Sequence, residues 1–116
     1  MKKSDSIVLN KILKEIAYLQ SKTDNIISFE DFDKDEDKKR IVAMTLINIG
    51  ELTRHISQEC KDLAKDIPFK NIIGLRDVAA HGYHSLKSDS VWGTVKTSIP
   101  DFKSKIEKLL ARTYGI

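Results

Sequence analysis

The chain is poor in everything that breaks or staples a helix. It holds one cysteine, two prolines and five glycines in 116 residues. A single cysteine, Cys60, rules out an intrachain disulfide and suits a reducing cytoplasm. Cys60 falls within a helical pattern, which points to a small buried side chain rather than a nucleophile. So few glycines and prolines argue against a many-stranded β fold with its frequent turns. There is no apolar run long enough to span a membrane and no signal-peptide pattern at the start, so the expected location is cytoplasmic, with no membrane partner. Charge is not one-sided either. Twenty basic and 17 acidic residues leave a net charge of +3. That permits contact with an anion without announcing a nucleic-acid binder.

What is present is a helical protein. Hydrophobic residues are 41% and charged residues 32% of the chain, as in a soluble domain of amphipathic helices. The length suits one domain over residues 1–116. Ile7, Val8, Ile12, Leu13, Ile16 and Leu19 recur at helical steps and predict a first helix over about 5–23. Ser28-Phe29-Glu30-Asp31 resembles a capping box, predicting a short turn of helix around 30–32. The mixed charge run 33–40, acids first, suits the start of a helix dipole. A long helix over about 35–65 follows, interrupted by Gly50, which in mid-helix marks close approach of another backbone. Pro68 opens a third helix that reaches about His81, with Gly82 placed as a left-handed cap. A last helix, capped by Ser88 or Ser90, keeps its apolar period across Pro100 and is expected to be kinked there. Trp92 lies on that apolar stripe and reads as core. Together these predict an all-α, up-and-down four-helix bundle. Its long second helix leaves apolar surface that suits a homodimer.

The chemistry concentrates in Arg76-Asp77-Val78-Ala79-Ala80-His81-Gly82-Tyr83. Arginine offers a permanent cationic fork that fits phosphate. Histidine moves protons near neutral pH, and the tyrosine hydroxyl donates, accepts or is modified. A phosphate grip beside a proton shuttle is what metal-free RNA cleavage needs. Asp77, one turn before His81, is placed to orient its imidazole. On a straight helix, however, Arg76 and Tyr83 share a face while His81 lies about 140° from Arg76. Either the helix ends at Gly82 and Tyr83 swings round, or two chains share the site. A structural reading competes: Arg76 paired with Asp77, His81 at a helix end, Tyr83 packing. His81 and His84 find no third ligand for a metal site. His84 reads as a loop residue, and Arg54 and His55 as a polar helix face or an RNA-facing one.

The motif Arg76-x4-His81-x-Tyr83 resembles that of the HEPN superfamily, and within it the HepT-like toxins. The likeness extends to Ile49-Gly50-Glu51, Ile67-Pro68-Phe69, Ile73-Gly74-Leu75-Arg76-Asp77 and Val91-Trp92-x2-Val95-x3-Ile99-Pro100. The resemblance implies an all-α homodimer whose two motifs face a shared cleft. It implies a metal-independent endoribonuclease, acting on RNA rather than DNA, without cofactor, as the toxin of a toxin–antitoxin pair. Arg76 and His81 would be catalytic. The implied partner is an MntA-like minimal nucleotidyltransferase that transfers AMP to Tyr83. Many relatives have Asn where this chain has Asp77. Glu51 would either face the cleft or pack. A second reading is a non-catalytic module that holds nucleotide or the nucleotidyltransferase; pure binding has little need of His81.

Overall fold

The computed structural model describes the backbone of residues 1–85 and 88–114, and the side chains in those ranges except at 78, 80–85 and 114. The elements are α1 (Lys3–Thr23), α2 (Phe29–Lys34), α3 (Glu36–Thr53), α4 (Gln58–Leu63), α5 (Phe69–Ser85), α6 (Ser88–Gly93), a π turn (Thr94–Ser98) and α7 (Ile99–Tyr114). Among the described residues there is no strand, and no helix is long and apolar enough to cross a membrane. The fold is all-α, as the periodicity predicts.

Each long helix buries one aliphatic stripe. Leu9, Ile12, Ile16 and Leu19 of α1 meet Val42, Leu46 and Ile49 of α3, and Ile99, Phe102 and Ile106 of α7, in one core. α1 and α3 run antiparallel, since Asp5 meets Ser57 just past the end of α3 while Glu15 meets Asn48 further back. α1 also packs on α7. α5 adds Phe69, Ile72, Leu75 and Ala79 to the core and packs chiefly on α3. Met44 of α3 is 59% exposed, which leaves apolar surface on this helix.

Ser28 caps α2 by accepting from the Asp31 N–H at 3.1 Å, which is half of the predicted box. Phe32 of α2 is buried and stacks on Trp92 at 5.0 Å between ring centroids, so the tryptophan packs as expected. Cys60 is fully buried, and burial pushes its thiol up, so it stays a thiol and packs as a small apolar group.

Two boundaries differ from expectation. The long helix predicted over 35–65 breaks after Thr53. Ser57 starts α4 instead, its Oγ accepting from the Cys60 N–H at 3.2 Å. Asp5 holds Ser57 in that pose, accepting from its N–H at 2.8 Å and its hydroxyl at 2.6 Å. Beyond the break Ile56, Cys60, Ala64 and Ile67 are buried, and their three- and four-residue spacing continues the stripe of α3, which is why the sequence reads as one helix.

α5 does not stop at Gly82 but continues to Ser85. Glycine permits a left-handed cap without compelling one, and nothing in His81–Ser85 forbids helical backbone. The last helical run is unbroken across Pro100, with the π turn immediately before it. Proline lacks an N–H and crowds the carbonyl four residues back, so a widened turn there relieves both faults. The run starts at Ser88; the residue that would cap it lies outside the described ones.

Candidate active site on α3 and α5

Gly50 decides where Arg76 sits. It is buried at the crossing of α3 and α5. A Cβ placed on it would lie 2.7 Å from Arg76 Cβ, 3.0 Å from the Arg76 backbone nitrogen and 3.2 Å from the Ile73 carbonyl oxygen. Two of those three neighbours are backbone and cannot swing away. The missing side chain therefore lets α5 close on α3 at the arginine itself, as the mid-helix glycine predicts.

Gly50→Ala should lose stability. Overpacking costs about 1–3 kcal/mol, offset by about 1 kcal/mol of helix propensity. A net loss of up to about 2 kcal/mol in denaturant melts is expected. A gain in stability would show that the crossing is loose.

The next residue, Glu51, meets Arg76 from the same side. Its Oε1 lies 2.7 Å from Arg76 Nε. Arg76 Nε is buried and its N–H is not aligned with the carboxylate, so the contact is an ion pair rather than a well-formed hydrogen bond. Arg76 NH1 donates to Asp77 Oδ1 at 3.2 Å. The arginine side chain remains 43% exposed. Two carboxylates thus hold the guanidinium, at Nε and at NH1, while the side chain as a whole stays partly open to solvent.

The structure brings together Arg76, Asp77 and Glu51 of the predicted site. The side chains of His81 and Tyr83 lie outside the described ones, and with them the expected Asp77–His81 contact. Their positions on the backbone are helical, because α5 runs through both. Swinging Tyr83 round at a helix end is therefore ruled out. On this helix position 83 is in line with position 76, and position 81 is about 140° away.

Beside Glu51, α3 and α1 form an open groove of about 270 Å³ lined by Glu15, Asn48, Glu51, Leu52 and His55. Asn48 Nδ2 donates to Glu15 Oε1 at 2.9 Å. Neither Glu15 nor Asn48 stands out in the sequence. They meet only once the register of α1 against α3 is known. Among the described residues no three His, Cys, Asp or Glu side chains converge on a possible ion position.

Residues 12–109 match the family model described as Ribonuclease HepT-like. The chain belongs to the HepT-like family. One HepT-like relative, from Thermococcus cleftensis and named "Probable ribonuclease HepT", is 35% identical over 109 residues, covering 94% of this chain and 98% of its own. Another, from Caldanaerobacter subterraneus subsp. tengcongensis and provisionally named an RNase, is 31% identical over 104 residues, covering 90% and 92%. No solved structure matches the chain.

Proposed function

We propose that this HepT-like chain is a metal-independent endoribonuclease and the toxin of a toxin–antitoxin pair. The observation that carries the reading is Arg76. It is fixed at the α3–α5 crossing by Glu51 and Asp77, yet 43% of its side chain is exposed, and it lies on the helix that carries His81 and Tyr83. Arg76 grips the scissile phosphate and stabilises the charge that builds on it. His81 takes the proton from a ribose 2′-hydroxyl. The 2′-oxygen attacks phosphorus and the bond to the 5′-oxygen breaks. The leaving oxygen receives a proton from the imidazolium. The products are a 2′,3′-cyclic phosphate and a free 5′-hydroxyl.

Positions 76 and 81 diverge on one straight helix, so the site is completed by a second copy. α5 is suited to this, since it packs chiefly on one neighbour, α3. An MntA-like nucleotidyltransferase silences the toxin by transferring AMP to Tyr83. The added phosphate lies in line with Arg76 and pairs with the arginine that RNA needs.

One experiment with two arms tests this. The chain is purified alone, and separately after co-expression with the nucleotidyltransferase, and each is given single-stranded RNA in EDTA. The first should cleave and leave cyclic phosphate ends. The second should carry AMP on Tyr83 by intact-mass and peptide analysis, and should not cleave. Cleavage that requires a divalent metal would overturn the mechanism. Full activity of the AMP-bearing form would overturn the regulation. No cleavage by the unmodified chain would favour the non-catalytic binding module.

A further inference from the structure

We propose that the groove of Glu15, Asn48, Leu52 and His55 is the base subsite of this ribonuclease and that it selects guanine next to the scissile phosphate. The inference rests on the ribonuclease reading and adds a substrate preference to it.

Position comes first. Glu51 is a wall of the groove and also the ion-pair partner of Arg76, at 2.7 Å. The groove therefore opens directly beside the group that grips phosphate. Asn48 and Glu51 are one turn apart on α3, about 5–6 Å between Cβ atoms, a separation that a single nucleotide bridges.

Size comes next. At about 270 Å³ the groove falls just below the range of about 300–1,000 Å³ typical of sites for drug-sized ligands. It suits one base rather than a larger ligand.

The lining chemistry selects among bases. Single-stranded RNA is read by stacking bases on aromatic rings and by hydrogen bonds to their Watson–Crick edges. His55 is exposed at one end of the groove and offers a ring face, and Leu52 offers an apolar wall. Glu15 is an acceptor-only carboxylate, and its bond from Asn48 sets its orientation. Guanine presents two parallel donors, N1–H and N2–H, that a carboxylate receives together. Uracil presents one donor flanked by acceptors, which a carboxylate repels. Two carboxylates in the groove also disfavour a phosphate there, so the backbone keeps to the Arg76 side and the base enters the groove.

The test is to map cleavage sites on a mixed-sequence single-stranded RNA. The parent chain is compared with Glu15→Gln and His55→Ala, with folding checked by circular dichroism. The parent chain should cut next to guanine. Glu15→Gln keeps the side-chain length but presents a donor where guanine needs an acceptor, so its preference for guanine should fall about tenfold or more. His55→Ala should raise KM about tenfold while the preference persists, because stacking serves every base. Cutting by the parent chain without regard to the neighbouring base would overturn the proposal, as would parental preference in Glu15→Gln. An unchanged KM in His55→Ala would remove the stacking role. A parent chain that cuts nothing would overturn the ribonuclease reading, and the subsite with it.

Discussion

Arg76→Ala should slow RNA cleavage by about a hundredfold to a thousandfold, the loss seen when a donor aimed at developing transition-state charge is removed. The cost falls on chemistry and not on folding. Arg76 is 43% exposed and its partners Glu51 and Asp77 are 46% and 60% exposed. Exposed pairs of this kind contribute about 0–1 kcal/mol, so the melting temperature should barely move.

Arg76→Lys should recover little of the lost rate. The arginine meets Glu51 through Nε and Asp77 through NH1, and its side chain is still partly exposed. Lysine has one ammonium group for both tasks, and at a forked site it is not a conservative replacement. His81→Ala should fall by about a hundredfold to ten-thousandfold through loss of proton transfer. Single-turnover cleavage, with the protein in excess of RNA and saturating, separates these effects from binding. Near-parental rates in both alanine variants would place the chemistry elsewhere in the chain.

The second large effect concerns stability and lies far from the site. Asp5→Ala should destabilise the chain by about 3 kcal/mol, since it removes two charge-assisted bonds and leaves the Ser57 N–H and hydroxyl hydrogen without their acceptor in a part-buried place. For a chain of this size that is roughly a 10 °C fall in melting temperature. Asp5 is 1% exposed, and both of its bonds go to the residue that starts α4. Ser57→Ala should cost less on its own, and the double variant should cost less than the sum, because both act on one contact.

The same contact has a pH signature. Burial pushes the Asp5 carboxyl up, but the Ser57 hydroxyl, the Ser57 N–H and the Lys2 contacts together outweigh it, and the net shift is below the ordinary 3.8. A lowered carboxyl binds its proton more weakly in the folded chain than in the unfolded one. The stability it confers is therefore complete above the unfolded value and is lost as pH falls through the folded one. Asp33, bonded to Ser88 and Lys39, shifts the same way, so the informative measurement is the difference in acid slope between the parent and Asp5→Ala. Equal slopes below pH 3.8 would show that Asp5 is not the group responsible.

Local patterns were legible in the sequence, and distant contacts were not. The stripe of α1, the Ser28 cap, the tolerance of Pro100 and the close approach at Gly50 all follow from residues a few places apart. The break between α3 and α4 does not. Ser57 alone is an ordinary polar residue in a helical pattern, and the group that makes it a cap is Asp5, 52 positions away. Gly82 misled for a related reason. It signals what the backbone is free to do, while the surrounding sequence decides whether that freedom is used. At the site, Arg76 and Asp77 are neighbours and announce themselves. Glu51 was a candidate with two possible roles, and the packing of α5 on α3 selects the arginine as its partner. Glu15 and Asn48 carried no signal at all, because neither belongs to a motif and only the register of two helices unites them.

The reliance of α5 on one neighbour has a dynamic consequence. An element held by one neighbour opens when that single seam parts, whereas one held by two must part from both. α5 is extensively packed, but chiefly on α3, whereas α1 is gripped by both α3 and α7. Hydrogen exchange should therefore be faster along α5 than along α1, and a second copy docked on its outer side would slow it. Competence would then fade in stages on dilution, with the arginine-bearing helix loosening first while the body of the molecule keeps its shape.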